Sequence, residues 1–189
     1  GDRFVLVDQH VAHERVLYER FRRDAEKKGD GARVDVEELL VPFVIDVARG
    51  ETSAVAERLD DLRATGFVLE PFGESEFRVT ALPAARRRGD DRATVRELIE
   101  MIVAARGGDS ARLPCGAPID LRTASFFDEA LKIASCRSAT KAGDSLSMEE
   151  ISALVSQWRE TSEPLRCPHG RPVVAYLDRG AVNHLFGRT

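Results

Sequence analysis

Short apolar runs alternate along the chain with longer stretches whose apolar residues recur every three or four positions, a pattern that predicts alternating strands and helices. Phe4–Val7 reads as a buried strand and Val11–Lys28 as a helix stopped by Gly29-Asp30-Gly31. Val34–Asp46 carries apolar runs interrupted by Pro42, and Thr52 or Ser53 is placed to cap one helix running to about Thr65, with Gly66 as its stop. Phe67–Pro71 and Glu76–Thr80 flank Phe72-Gly73-Glu74-Ser75 as a hairpin. A helix over Arg92–Arg106 ends at Gly107-Gly108, and Leu113-Pro114-Cys115-Gly116-Ala117-Pro118 reads as a linker. Asp120–Ala134 fits an amphipathic helix. Ser147-Met148-Glu149-Glu150 is a capping box that opens another to about Arg159. Val173–Leu177 is a strand and Arg179–Phe186 a short last helix. The fold class is α/β of the α+β kind.

With 189 residues, 43% hydrophobic and 32% charged, the chain has an ordinary globular composition. The net charge of −4 argues against tight sequence-independent nucleic-acid binding by this chain alone. Arg86-Arg87-Arg88 is a local basic exception, read as a solvated face. Three cysteines cannot all pair, and neither a secretory signal nor a membrane-spanning run is evident, so a reducing cytoplasm is the expected compartment. The absence of an initial methionine suggests a piece of a longer protein.

The chemistry gathers at both ends. Asp8-Gln9-His10-Val11-Ala12-His13-Glu14 follows the first strand, and His10 and Glu14 lie about 40° apart on one helix face, one turn along. Cys167-Pro168-His169-Gly170-Arg171-Pro172 sets a thiol and an imidazole two residues apart on a stiffened loop, and Cys136 lies in Ser135-Cys136-Arg137-Ser138-Ala139-Thr140-Lys141. Asp8, His10, Glu14, Cys136, Cys167 and His169 form a mixed donor set. Sulfur and imidazole suit zinc, whereas the carboxylates suit manganese or magnesium. Arg171 and Lys141 are candidate donors to a phosphate. Cys115, outside any motif, reads as a core residue, His13 as a surface residue and His184 as a surface or interface residue. Convergence of the donors would place residues 1–40 and 113–189 in one lobe, with 41–112 inserted as a second.

In order, these motifs resemble the C-terminal domain of the MutL family of DNA mismatch-repair proteins, in its endonuclease-bearing branch. Asp8 to Glu14, with Glu19 beyond, is similar to that family's DQHA(x)2E(x)4E motif, with Val11 in place of alanine. Ala134–Ala142 and Cys167–Pro172 resemble its second and third motifs, and Phe186-Gly187-Arg188 its terminal F-x-R. The resemblance implies a homodimer with an external lobe that nicks one DNA strand, activated by manganese, with zinc as a structural or regulatory ion. It implies a metal shell of Asp8, His10, Glu14, Cys136, Cys167 and His169. Glu19, roughly 140° around the helix from Glu14, is expected to support rather than ligate, as is Arg188. The family also docks on the replication sliding clamp through a Q-x-x-[LI]-x-P segment. Glu37-Glu38-Leu39-Leu40-Val41-Pro42 stands in that place, with Glu37 unable to donate as glutamine would, so weaker or altered clamp binding is expected. An ATP-binding N-terminal domain and a mismatch-recognition partner would belong to the full-length protein, in the bacterial cytoplasm. The competing expectation is a docking and dimerisation module whose zinc is only structural. A small-molecule zinc hydrolase lacks support, since no His-Glu-x-x-His helix is present.

Overall fold

The computed structural model describes residues 3–27, 34–85, 90–107, 111–112, 118–119 and 125–188. Arg86-Arg87-Arg88, Cys115 with most of its linker, Gly29-Asp30-Gly31, Gly108 and the expected helix start at Asp120 lie outside the described residues. The elements run β1 (Arg3–Val7), α1 (Gln9–Lys27), β2 (Val36–Asp46), α2 (Thr52–Ala56), α3 (Leu59–Ala64), β3 (Val68–Pro71), β4 (Glu76–Pro83), α4 (Asp91–Gly107), β5 (Ala111–Arg112), β6 (Pro118–Ile119), α5 (Phe126–Ser138), α6 (Met148–Arg159), β7 (Val174–Asp178) and α7 (Arg179–Leu185). The fold is α+β. Its contacts divide it into two compact units, Gly1–Val16 with Thr140–Thr189, and Leu17–Ala139, so that the first boundary falls inside α1. The grouping drawn from the ligand positions, 1–40 with 113–189, sets its boundaries elsewhere.

In the second unit, β2, β4 and β3 form an antiparallel sheet in that order. Phe77, Val79 and Ala81 alternate inward on β4, while Arg78 faces out. Phe77 and Val79 pack in one buried cluster with Phe21 of α1, Leu62 and Phe67, Leu98 and Ile102 of α4, and Leu131 and Ile133 of α5. The stripe expected on α5 is therefore core. A single helix was expected over 52–65, but the chain forms two, broken at Glu57-Arg58, where the Arg58 N–H reaches Val55 O at 3.0 Å. Neither Thr52 nor Ser53 caps it. Glu51 stands at the N-cap position, and the Thr52 hydroxyl donates back to Ala48 O. Gly66 does end α3. At φ +90° it completes a Schellman motif, with Phe67 N–H on Leu62 O at 2.9 Å and Gly66 N–H on Arg63 O at 3.1 Å.

In the first unit, β1 pairs antiparallel with β7, setting Val5 opposite Tyr176 and Leu6 opposite Ala175. Its buried apolar cluster is small: Val11, Ala12, Cys167 and Val173, with Trp158 and Val174 packed against them. The expectation that Phe4–Val7 is buried is corrected here, since Phe4 is 64% exposed, Val5 55% and Leu6 54%. A two-stranded sheet has two faces, and the small buried cluster of this unit does not cover both. The capping box at Ser147 is present, with the Ser147 hydroxyl accepting Glu150 N–H and Glu150 accepting Ser147 N–H. Even so, α6 buries no residue, and Met148 and Ile151 on its apolar stripe stay exposed. Among the described residues no helix is long and apolar enough to cross a membrane.

Candidate metal centre

Asp8 opens α1. Its Oδ1 accepts the Val11 N–H at 3.1 Å and its carbonyl takes the first helical bond from Ala12, which makes it the N-cap. The Asp8 N–H continues the β1–β7 ladder to Val173 O at 3.0 Å. This junction fixes where the first turn of α1 points. Val11 and Ala12 turn into the small apolar cluster, and Glu14, one turn after His10, is wholly buried. A carboxylate there is costly unless positive charge meets it.

The opposite wall is a hairpin. Arg166 bridges Pro172, Cys167 N–H binds Arg171 O at 2.9 Å, and Gly170 N–H binds Cys167 O at 2.9 Å. Pro168 fixes φ at the turn's first inner position, and Gly170 leaves it at φ +83°. This tight turn folds His169 back over Cys167, whose sulfur accepts the His169 N–H at 3.3 Å. Arg15, 5% exposed, braces the strand before it, donating from Nε to Arg166 O at 2.7 Å and from Nη2 to Glu163 Oε2 at 3.0 Å.

Glu14, Cys167 and His169 converge, each offering a ligand atom within 4.8 Å of the others. Glu14 Oε2 lies 3.6 Å from His169 Nδ1, and Glu14 Oε1 lies 3.1 Å from His10 Nε2. Cys167 Sγ lies 3.8 Å from His169 Nδ1. Two nitrogen or oxygen donors on one tetrahedral zinc stand about 3.4 Å apart, and a sulfur–nitrogen pair about 3.6 Å. The spacings match within a few tenths of an ångström, and the donor chemistry is zinc's. The residues present fit the ion.

The ring of His10 is oriented from behind. Its Nδ1 lies 2.8 Å from Thr140 O, and a carbonyl only accepts, so Nδ1 carries hydrogen and Nε2 faces Glu14. The hydrogen bond to Glu14 raises the His10 pKa above its ordinary value, against the lowering by burial. A proton or a metal ion between Nε2 and the carboxylate satisfies both.

The other candidates are placed as follows. Asp8 is exposed and outside this donor cluster. Cys136 is buried on α5, in the second unit. Glu19 lies on α1 beyond the unit boundary. Lys141 is exposed and Arg171 half-buried, while Arg188 is exposed past α7. Exposed Glu37 and Pro42 and half-buried Leu39 lie on the edge strand β2, where the pairing with β4 slips between Glu38 and Phe43. There Leu40 is 102% exposed. His184 is exposed, as expected. His13 is not the surface residue expected from sequence. It is half-buried, and its Nδ1 accepts the Thr140 N–H at 3.0 Å. Gln9, given no role from sequence, donates its amide to Lys141 O and Asp144 O, both at 2.9 Å. Its place between Asp8 and His10 was the one signal for it.

The chain is an α+β protein in which a carboxylate from a strand–helix junction meets a Cys-x-His hairpin. The family model described as the MutL C terminal dimerisation domain matches residues 1–146, and the chain belongs to that family. It is 34% identical over 183 residues to DNA mismatch repair protein MutL of Geobacillus kaustophilus, covering 97% of this chain and 26% of that protein. It is 36% identical over 184 residues to the protein of the same name from Shouchella clausii, covering 97% of this chain and 25% of that one. The chain thus spans about a quarter of the length of these curated relatives.

Proposed function

We propose that the chain is the metal-dependent DNA-nicking endonuclease and homodimerisation domain of a mismatch-repair protein. The observation that carries this reading is the convergence of Glu14 with His169 and Cys167, residues from both end motifs, at the spacing of a shared ion. Cys167, His169 and one oxygen of Glu14 would hold zinc. His10, the other oxygen of Glu14, and Asp8 form the harder end, suited to manganese or magnesium. When bound there, such an ion supplies Lewis-acid polarisation of a phosphodiester and of the attacking water. Asp8 keeps the capacity to ligate while capping, because a carboxylate accepts at about four lone-pair sites. Lys141 and Arg171 steady the phosphate. Glu19 and Arg188 support the frame.

Dimerisation falls to the first unit, where the exposed apolar faces of β1 and β7 and the stripe of α6 await cover. Glu37, Leu39, Leu40 and Pro42 offer the sliding clamp a protruding apolar bulge on an edge strand. The acidic chain binds DNA weakly alone. In the cytoplasm, at the nucleoid, an ATP-binding N-terminal domain, the clamp and a mismatch-recognition protein would hold it on DNA.

The test is manganese-dependent nicking of supercoiled DNA by the intact protein, wild type against Asp8→Asn. Asparagine keeps the N-cap, so the variant separates capping from catalysis. Nicking that persists unchanged removes Asp8 from the reaction. A second reading, a silent zinc-stabilised dimerisation and clamp-docking module, draws on the engagement of Asp8 Oδ1 as a helix cap. Tight zinc binding with no manganese-dependent cutting selects it.

A further inference from the structure

Two histidines near the start of α1 meet one residue, Thr140, in opposite senses. The Thr140 carbonyl receives His10 Nδ1–H at 2.8 Å, and the Thr140 N–H donates to His13 Nδ1 at 3.0 Å. Backbone groups have fixed roles, so Nδ1 carries hydrogen in His10, whereas Nδ1 of His13 presents a lone pair and its hydrogen sits on Nε2. The Thr140 hydroxyl adds a contact to His13 Nδ1 at 2.9 Å, and Thr140 is 3% exposed. The following loop is fixed as well. Gln9 holds the carbonyls of Lys141 and Asp144, and Asp144 Oδ2 accepts Lys141 N–H at 2.9 Å.

We propose that His13 is a positioning residue of the metal site, holding the Thr140 peptide so that His10 presents its Nε2 lone pair beside Glu14. His13 does not ligate. Its Nδ1 is occupied by Thr140, and the tautomer this imposes puts hydrogen, not a lone pair, on Nε2. Its effect passes through one peptide group: a buried N–H that lost its acceptor would turn toward another, taking with it the carbonyl that orients His10. Partners that orient a ligating imidazole from its far nitrogen set metal affinity in this way. The role rests on the metal-site reading above.

The test combines zinc affinity, measured by competition with a chromophoric chelator, with nitrogen-15 NMR of the imidazoles in zinc-free protein. Wild type should show hydrogen on His10 Nδ1 and on His13 Nε2. His13→Ala should weaken zinc binding by about tenfold or more and relax the His10 tautomer. His13→Asn, whose Oδ1 can accept the Thr140 N–H, should recover most of the affinity. Urea unfolding in chelator separates a misfolded variant from a misoriented ligand, and the asparagine rescue is a readout that a merely space-filling role would not give. Zinc bound equally by wild type and His13→Ala, hydrogen on His13 Nδ1 in the wild type, or an asparagine variant no better than alanine would each overturn the role of His13 alone. A wild type that takes up no zinc removes the metal site, and this role with it.

Discussion

Replacing Glu14 by glutamine should be nearly neutral without zinc and destabilising with it, and the contrast is diagnostic. Glu14 is wholly buried between His10 Nε2 at 3.1 Å and His169 Nδ1 at 3.6 Å. Breaking a buried ion pair costs about 3–5 kcal/mol when it strands a charge. Here the residue removed is the anion, and both imidazoles can become neutral, so no charge is stranded. In chelator, Glu14→Gln should therefore unfold within about 1 kcal/mol of wild type, since the desolvation of a carboxylate disappears with the pair. Zinc should open a gap between wild type and variant. Free zinc at a thousand times its dissociation constant stabilises wild type by about 4 kcal/mol, or roughly 8–16 °C in Tm for a chain of this size. A hundredfold weaker site at the same zinc concentration retains only about 1.4 kcal/mol. Thermal unfolding by circular dichroism, with zinc and with chelator, is the assay. Equal zinc-induced shifts in wild type and variant would refute Glu14 as a ligand. A variant equally destabilised in both conditions would show that Glu14 is structural.

Three further outcomes follow from the same geometry. The His10 pKa is raised by Glu14, so in chelator the stability from their pair is fully present below the ordinary histidine value and is lost as pH rises through the raised one. Zinc affinity should move oppositely, growing as that proton leaves, and pH series with and without chelator check both signs. Leu6→Asp, on the exposed face of β1, should reduce the light-scattering mass from two chains to one at micromolar concentration, and an unchanged mass would place the interface elsewhere. Gly66→Ala should cost about 1–2 kcal/mol for the left-handed backbone alone, with added strain because its Cβ would meet Pro83 at 3.1 Å; urea unfolding measures it.

What the sequence disclosed was local. The strand–helix junction at Asp8, the hairpin around Gly73 and the capping box at Ser147 are written in neighbouring residues and appear in the structure. The break between α2 and α3 was hidden because their apolar pattern runs on through it. The exposure of β1 was hidden for a different reason: a run such as Phe4-Val5-Leu6-Val7 looks the same whether it is destined for a core or for a partner surface. The candidate donors were legible as motifs, but the residues that support them were not. His13 meets Thr140 across 127 residues, and Arg15 meets Arg166 across 151, distances over which periodicity carries no information.

Glu14 shows why the site and the fold cannot be separated. It falls four residues before Tyr18 and seven before Phe21, on the stripe of α1 that elsewhere carries buried aromatic residues. An apolar side chain there would satisfy packing at lower cost. The carboxylate is tolerable only if cations gather around it, and the chain supplies the means on every side. Thr140 turns His10 so that Nε2 faces Oε1, while the Pro168–Gly170 turn folds His169 toward Oε2. Neither imidazole can neutralise the carboxylate without a proton, and at neutral pH and above protons become scarce. A divalent ion would replace the proton shared by His10 and Glu14 and would also engage the Cys167 sulfur, which an imidazolium–carboxylate pair leaves without a strong partner. The arrangement therefore favours the metal most where the protons are fewest, which is why the zinc-free and zinc-loaded forms should diverge in stability as pH rises.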